Sequence, residues 1–234
     1  MEARSIDTRQ WMRLGGLAGL LYLVADIVSN SIEPSSPNLN ASISEITSYA
    51  TDHRHTLIAG EIISIVAFVF ALYWLGTIRH AFAQLGEERD PLAWIAVISG
   101  LGAATLALVS HVGTVLLTML AGQSQGLANA SVVRAVFDFS SINPSFILFA
   151  AFVPALGLAA VRRGLFGPWF GPWFGRFAVL DGVIAALAGA ASLAIGSGSA
   201  WDILFFIGLI GFGLVVLILS VQMLRGQGVL ATAE

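Results

Sequence analysis

The 234-residue chain contains no cysteine and no lysine, and charged residues of any kind make up only 11% of it. Without cysteine it has no disulfide, no thiolate nucleophile, no iron–sulfur cluster and no cysteine-type zinc site. Without lysine, neither a Schiff base nor the phosphate-binding lysine of a P-loop is available. The net charge of −3 offers no basic face, so we expect no nucleic-acid partner.

Charge is scarce because hydrophobic residues make up 57% of the chain. A typical soluble domain carries about 25% charged residues, so a chain this apolar has too little polar surface to cover itself in water. Several stretches of about 20 residues, the length that crosses a bilayer core, are almost free of charge. We therefore predict an all-α, polytopic membrane helix bundle that forms a single transmembrane domain and has membrane lipids as its immediate partners.

The apolar stretches predict about six transmembrane helices, at residues 14–29, 57–78, 92–120, 144–161, 177–195 and 201–224. Between the first two, apolar residues recur at helical spacing after Ser42 or Ser44. This pattern predicts a short, capped amphipathic helix at the membrane interface. A second short helix is predicted from Ser131 to Asp138.

The distribution of arginine predicts the orientation. If six spans alternate sides, nine of the eleven arginines fall on one side, and only Arg54 and Arg134 fall on the other. Basic residues are enriched in cytoplasmic loops of membrane proteins. Both termini are therefore predicted to lie in the cytoplasm, with the chain in the cell inner membrane.

Ionisable side chains within apolar spans are costly, so each is a candidate functional residue. Four of them are candidate catalytic residues, namely Glu61, His111, Asp202 and Asp26. In the six-span arrangement all four lie in the outer half of the membrane, which predicts a polar pocket open toward the outer leaflet. The candidate ligand-binding residues in the same region are Tyr22, Asn30, Ser64 and Thr114.

Each acid also has a purely structural interpretation. Asp202 can cap the N-terminus of span six, where a carboxylate suits the helix dipole. Asp26 can lie in water at the interface, and Glu61 with His111 can be a buried pair that joins two spans. Asp181 is expected to be solvated or to cap span five. No metal ion or cofactor is predicted, because a bis-histidine haem needs two deep histidines and only one is deep.

The segment Arg13-Leu-Gly-Gly-Leu-Ala-Gly-Leu-Leu-Tyr-Leu-Val-Ala-Asp26, with the six-span layout and the polar first outer loop, resembles a family of six-helix integral membrane proteins common in actinobacteria. That family brings no established activity, so no functional residue is carried over from it. In size and acid placement the chain is also similar to small membrane-embedded terpene cyclases, which start cyclisation with acidic residues. This second resemblance implies Glu61 and Asp202 as the acid pair.

Three functions stay open at this point, and so does the question of whether the protein is an enzyme. The first is binding or transformation of an apolar, lipid- or isoprenoid-like ligand by acid–base chemistry. The second is a small transporter or proton-coupled carrier, which would need polar groups across the full membrane depth. The third is a non-catalytic scaffold or accessory subunit, with contacts at Trp169 and Trp173. The GxxxG step of Gly15 and Gly19 offers a face through which an oligomer can form.

Overall fold

A computed structural model describes residues 8–38, 40–84, 90–121, 127–141, 145–162, 167–195 and 201–225. Within these ranges the chain is helical almost throughout and contains no strand, so the prediction of an all-α protein is confirmed. The helices of these ranges, in chain order, are α1 (Thr8–Ile32), α2 (Ile43–Asp52), α3 (Arg54–Gln84), α4 (Pro91–Ala121), α5 (Leu127–Ser141), α6 (Ser145–Arg162), α7 (Gly167–Ile195) and α8 (Trp201–Arg225).

Six of the described helices form a closed ring in which each helix contacts two neighbours. Around the ring the order is α1, α3, α4, α6, α7 and α8, and α8 contacts α1 again. The outward faces carry large, exposed apolar side chains, such as Ile27 at 63%, Ile98 at 62% and Ile210 at 63% exposure. An apolar outer surface of this extent suits lipid, since a soluble protein rarely exposes so large a contiguous patch.

Five helices in the described ranges are long and apolar enough to cross a membrane. They are α1, α3, α4 and the greater parts of α7 and α8. The remaining ring helix, α6, has 18 residues and contains Pro154, and its fully described apolar part runs from Ile147 to Ala159. The prediction of a membrane helix bundle is therefore confirmed at the level of five spans, and the predicted count of six depends on α6.

Glycines on α1 bring the ring helices into close contact. A methyl group added at Gly15 would overlap Thr77 of α3, and one added at Gly19 would overlap Trp74 of α3 and Ser220 of α8. Small residues allow such approach in a membrane, where lipid supplies no hydrophobic force between helices. The GxxxG face is therefore occupied by the chain's own helices, and formation of an oligomer through another face stays a prediction.

The short helices α2 and α5 lie at one end of the ring, which we call the cap end. Because α2 connects α1 to α3 and α5 connects α4 to α6, both belong to the same end of the bundle. They pack on α4 around an apolar core of Ile46, Ala50, Leu117, Ala121, Val133 and Phe137. Ser42, one of the two caps that the sequence predicted, caps α2, and Glu45 completes a reciprocal capping box with it. Both predicted short helices are thus confirmed.

Candidate functional site

A partly open cavity of about 150 Å³ lies inside the ring, and five of the six ring helices line it. An apolar protein cavity of about 150 Å³ is large enough to bind benzene, so this cavity has room for part of an apolar molecule, and its open side allows the molecule to extend beyond it. The polar lining residues lie toward the cap end, because they come from the last turns of α1, the first half of α3, the second half of α4 and the start of α6. They are Asp26, Asn30, Ser64, His111 and Ser145.

The other end of the cavity reaches toward the middle of the bundle and is aromatic. Its lining includes Tyr22, Trp74, Phe149, Phe152 and Phe212. The ring centroids of Phe149 and Phe212 lie 4.4 Å apart, and those of Tyr22 and Phe212 lie 6.3 Å apart in an edge-to-face arrangement. The cavity is therefore amphipathic along its length, a shape and chemistry that suit a molecule with a polar head and an apolar body.

Glu61 of α3 and His111 of α4 form a direct pair at the polar end. The imidazole Nδ1 of His111 lies 2.6 Å from Oε2 of Glu61. The Glu61 side chain is only 4% exposed, whereas that of His111 is 33% exposed. Sequence alone placed the two residues at comparable depths without deciding whether they face each other, and the structure brings them into contact.

This contact orients the imidazole. Because Nδ1 is bound to the carboxylate, it carries the proton of a neutral ring, and Nε2 is the nitrogen left for another partner. Nε2 has no hydrogen-bond partner among the described residues. His111 also lines the cavity. An imidazole held at one nitrogen and accessible at the other is the usual arrangement for a general acid or base.

A serine network beside the pair joins α1 to α3. The hydroxyl oxygen of Ser29 lies 2.7 Å from Oγ of Ser64, 2.9 Å from the carbonyl oxygen of Gly60 and 2.9 Å from Oε1 of Glu33. One hydroxyl hydrogen cannot serve three acceptors, so the arrangement that satisfies most groups has Ser64 donating to Ser29. Ser29 then donates to Glu33 or to Gly60.

Glu33, the first residue after α1, is the candidate that the sequence analysis missed. Burial, and next the neighbouring Glu61 carboxyl, raise the pKa of Glu33 above its ordinary value. Its carboxyl lies against Gly60, where an added methyl group would overlap it. Glu33 follows the predicted first span, so it is not among the ionisable side chains within apolar spans. The one sequence signal was a glycine immediately before Glu61, which spacing alone does not connect to Glu33.

Asp26 presents an unpaired carboxyl to the cavity. The side-chain amide of Asn30 donates to the backbone oxygen of Asp26 at 2.8 Å, and not to its carboxyl. Within the described ranges that carboxyl has no hydrogen-bond donor, although it interacts electrostatically with His111. Asp26 is half-buried, so it lies neither fully in water nor fully in the packed interior. A ligand at the cap end of the cavity would meet it directly.

Three other predicted residues have different positions. Thr114 is not part of the lining, and its hydroxyl lies 3.4 Å from the carbonyl oxygen of Ser110 within α4. Asp202 is the second residue of α8, and its side chain lies outside the described residues. Asp181 is only 3% exposed, near the middle of α7 and against Gly211 of α8. The expectation of a solvated or capping Asp181 was wrong, because α7 begins well before the predicted start of span five.

A comparison of the chain with protein-family models, with curated proteins and with solved structures finds no match. No residue role can therefore be transferred from a relative. Among the residues that the structure describes, no group of three or more histidine and acidic side chains is placed to hold a metal ion. The function has to be inferred from the cavity and from the side chains that line it.

Proposed function

We propose that this integral membrane protein binds one lipid-like molecule in the cavity inside its helix ring and performs acid–base chemistry on the head of that molecule through His111. One observation carries the proposal. A histidine held by a buried glutamate, 2.6 Å away, lines an amphipathic cavity whose far end is aromatic. A pair serving only to join α3 and α4 would not need the imidazole to line a cavity of this size.

The chemistry assigned to each group follows from its position. Nε2 of His111 takes a proton from the bound molecule, or gives one back, and the adjacent Glu61 carboxylate stabilises the imidazolium that forms. Asp26 accepts a hydrogen bond from the head of the ligand. In this scheme the acid unit is Glu61 with His111. The pairing of Glu61 with Asp202, which the resemblance to terpene cyclases implies, stays a prediction.

We also propose that the cap end faces away from the cytoplasm. In the described ranges, Arg54 and Arg134 lie at the cap end, and the other arginines lie toward the opposite end, namely Arg9, Arg13, Arg79, Arg162, Arg176 and Arg225. Positively charged residues favour the cytoplasmic side. This orientation requires α6 to cross as a sixth span, and it leaves both termini in the cytoplasm of a cell inner membrane with the polar end of the cavity toward the outer leaflet.

Native mass spectrometry of the gently purified protein tests the ligand. We expect a stoichiometric apolar adduct on the wild type and its loss in Ala104→Phe, since Ala104 lines the cavity. Leu101→Phe is the matched control, because Leu101 lies one turn earlier on α4 and is 47% exposed on the outer face. Equal adducts on all three proteins would place the lipid outside the ring and would contradict the proposal.

Labelling of an introduced cysteine tests the orientation. The chain has no cysteine of its own, so Asn30→Cys gives a single thiol at the polar end of the cavity. A membrane-impermeant thiol reagent should label this variant in intact cells from which only the outer envelope has been removed. Labelling solely after the membrane is permeabilised would reverse the proposed orientation.

The carrier and the scaffold rank below this proposal. A carrier needs polar groups through the whole membrane depth, whereas the acidic and imidazole side chains that line the cavity, Asp26 and His111, lie only toward its cap end. The scaffold hypothesis depends on Trp169 and Trp173, which lie in the first turns of α7. The side chain of Trp173 is 63% exposed, and its ring lies beside the guanidinium of Arg176. Such a position is equally expected of a membrane-interface anchor, so the scaffold stays a prediction.

A further inference from the structure

The geometry points to the chemical class of the bound molecule: we infer that it is an amphipathic amine, with a protonated nitrogen that still carries hydrogen at the cap end and an apolar chain or ring system in the aromatic end. This inference rests on the proposed function and adds to it the sign of the head-group charge. It excludes, as the preferred occupants, lipids whose head group carries a phosphate or carboxylate and no amine.

The charge inventory at the cap end of the cavity carries the first step. Asp26, Glu33, Glu61 and His111 interact with one another electrostatically, so three carboxyl groups share one imidazole. With Asp26 and Glu61 ionised, this cluster is negative even when the imidazole is protonated and Glu33 is neutral. A cation entering it gains Coulomb energy in a region of low dielectric, and an anion loses it.

Apart from His111, which the charge count already includes, no basic side chain among the described residues lines the cavity to reverse that sign. Arg54 opens α3 seven residues before Glu61 and is exposed. Arg134 lies on α5, where its guanidinium is 2.9 Å from the Asp138 carboxylate and 2.9 Å from the carbonyl oxygen of Ala41. The chain has no lysine. An anionic head group would therefore meet the Asp26 carboxyl with only the His111 imidazole as a counter-charge, and three carboxyl groups already share that imidazole.

The hydrogen-bonding groups carry the second step. The Asp26 carboxylate accepts hydrogen bonds and cannot donate them, and Nε2 of a neutral His111 also accepts. A head group that offers N–H donors satisfies both, which a quaternary ammonium cannot do. Proton transfer from the ammonium nitrogen to Nε2 then breaks an N–H bond in the ligand and forms one on His111, so the His111 base of the proposed function has a proton to accept.

The aromatic lining carries the third step. Tyr22 lies one helical turn before Asp26 on α1, and its ring packs edge-to-face on Phe212. Aromatic faces attract cations through the ring quadrupole, by more when the site is shielded from water. The rings thus favour the same sign of charge as the carboxyl while also accommodating the apolar body. Further along the cavity, Trp74 places an indole where the tail of the ligand ends.

Quenching of Trp74 fluorescence tests the inference. Dodecylamine, dodecanol and dodecanoate, each with a terminal bromine, are titrated into the protein in phosphatidylcholine nanodiscs. The part of the quenching that is absent in Trp74→Phe comes from ligand bound in the cavity. Dividing by the quenching measured in Ala104→Phe corrects for differences in how the three ligands partition into the membrane. We expect the amine to bind about tenfold more tightly than the alcohol, and the carboxylate more weakly than either.

Variants of Asp26 distinguish the effect of its charge on ligand preference from the effect of its size. Asp26→Asn should weaken binding of the amine much more than binding of the alcohol and so remove most of the preference for the amine, whereas Asp26→Glu should retain that preference. If amine and alcohol bind equally well in the wild type, the inference is overturned and the proposed lipid-binding function stands. If none of the three quenches Trp74, the proposed function itself fails. If the amine is preferred, competition by phosphatidylethanolamine would indicate that the natural ligand is an amine-bearing membrane lipid. If phosphatidylethanolamine does not compete, the natural ligand is a single-chain amine.

Discussion

The pair of Glu61 and His111 should be energetically coupled, and a double-mutant cycle measures that coupling. The variants are Glu61→Ala, His111→Ala and the double variant, each compared with the wild type. If the two side chains interact as their 2.6 Å separation indicates, the double variant will lose less stability than the sum of the single variants.

The expected magnitude lies between two bounds. Interhelical hydrogen bonds in membrane proteins average about 0.6 kcal/mol and reach about 1.7 kcal/mol. Removing one partner of a fully buried ion pair in a soluble protein costs about 3–5 kcal/mol. Glu61 is 4% exposed, which raises the value, but His111 is 33% exposed, so part of its charge is screened. We therefore expect a coupling energy of about 1–2 kcal/mol.

Reversible unfolding in mixed detergent micelles, followed by far-UV circular dichroism, provides the four free energies of unfolding. The pair of Arg134 and Asp138 on α5 is a control of the same kind, since both side chains are at least one-third exposed and the spacing is i,i+4. Its coupling should be only about 0.3–0.5 kcal/mol. A Glu61–His111 coupling no larger than that of the control would refute the buried pair and, with it, the orientation of Nε2.

Three further predictions follow from single side chains. Gly19→Ala should lower the free energy of unfolding by about 1–3 kcal/mol, because the added methyl group overlaps α3 and α8. Gly76→Ala should raise it by up to about 1 kcal/mol, because nothing lies within 4 Å of the added methyl group. Equal effects of the two substitutions would contradict the packing of α1. The raised pKa of Glu33 means that its protonated form stabilises the fold below pH 4.5 and that this contribution is lost as the pH rises. The Tm of the wild type should therefore fall relative to that of Glu33→Gln between pH 4.5 and neutrality. Parallel curves of Tm against pH for the two proteins would contradict the burial of Glu33. Ser42→Ala should cost about 1 kcal/mol and speed amide exchange in α2 alone, and exchange that rises throughout the bundle would show that the cap is not local.

Long apolar runs made the helices of the bundle predictable. The run from residue 57 to 78 lies inside α3, and the helix continues beyond it because polar residues at its ends can remain helical in the head-group region. The cap of α2 was predictable only as Ser42 or Ser44, and the reciprocal hydrogen bonds with Glu45 identify Ser42 as the cap. The start of α7 was not readable, since a tandem Gly-Pro-Trp-Phe is typical of a connection but lies here in the first turns of the helix.

The sequence predicted several residues of the site but not the contacts between their side chains. Glu61 and His111 stood out because each is an ionisable group in an apolar run, but their contact joins residues 50 positions apart, and the rotation of α3 against α4 decides it. The same rotation brings Ser64 into the lining and leaves Thr114 out of it. Asp181 shows the converse error. Its depth was inferred from the predicted start of span five at residue 177, but α7 begins at Gly167, so Asp181 lies near the middle of the helix.

The most direct measurement is an experimental density map of the protein in lipid nanodiscs prepared without removal of co-purifying lipid. We predict one elongated density inside the ring, with its head within hydrogen-bond distance of His111 and Asp26 and its tail against Trp74, and we predict that this density is absent from Ala104→Phe. A map in which ordered lipid lies only against the outer faces of the helices, while the cavity holds water or is filled by its own side chains, would contradict the proposal that this protein binds a lipid-like molecule inside its helix ring.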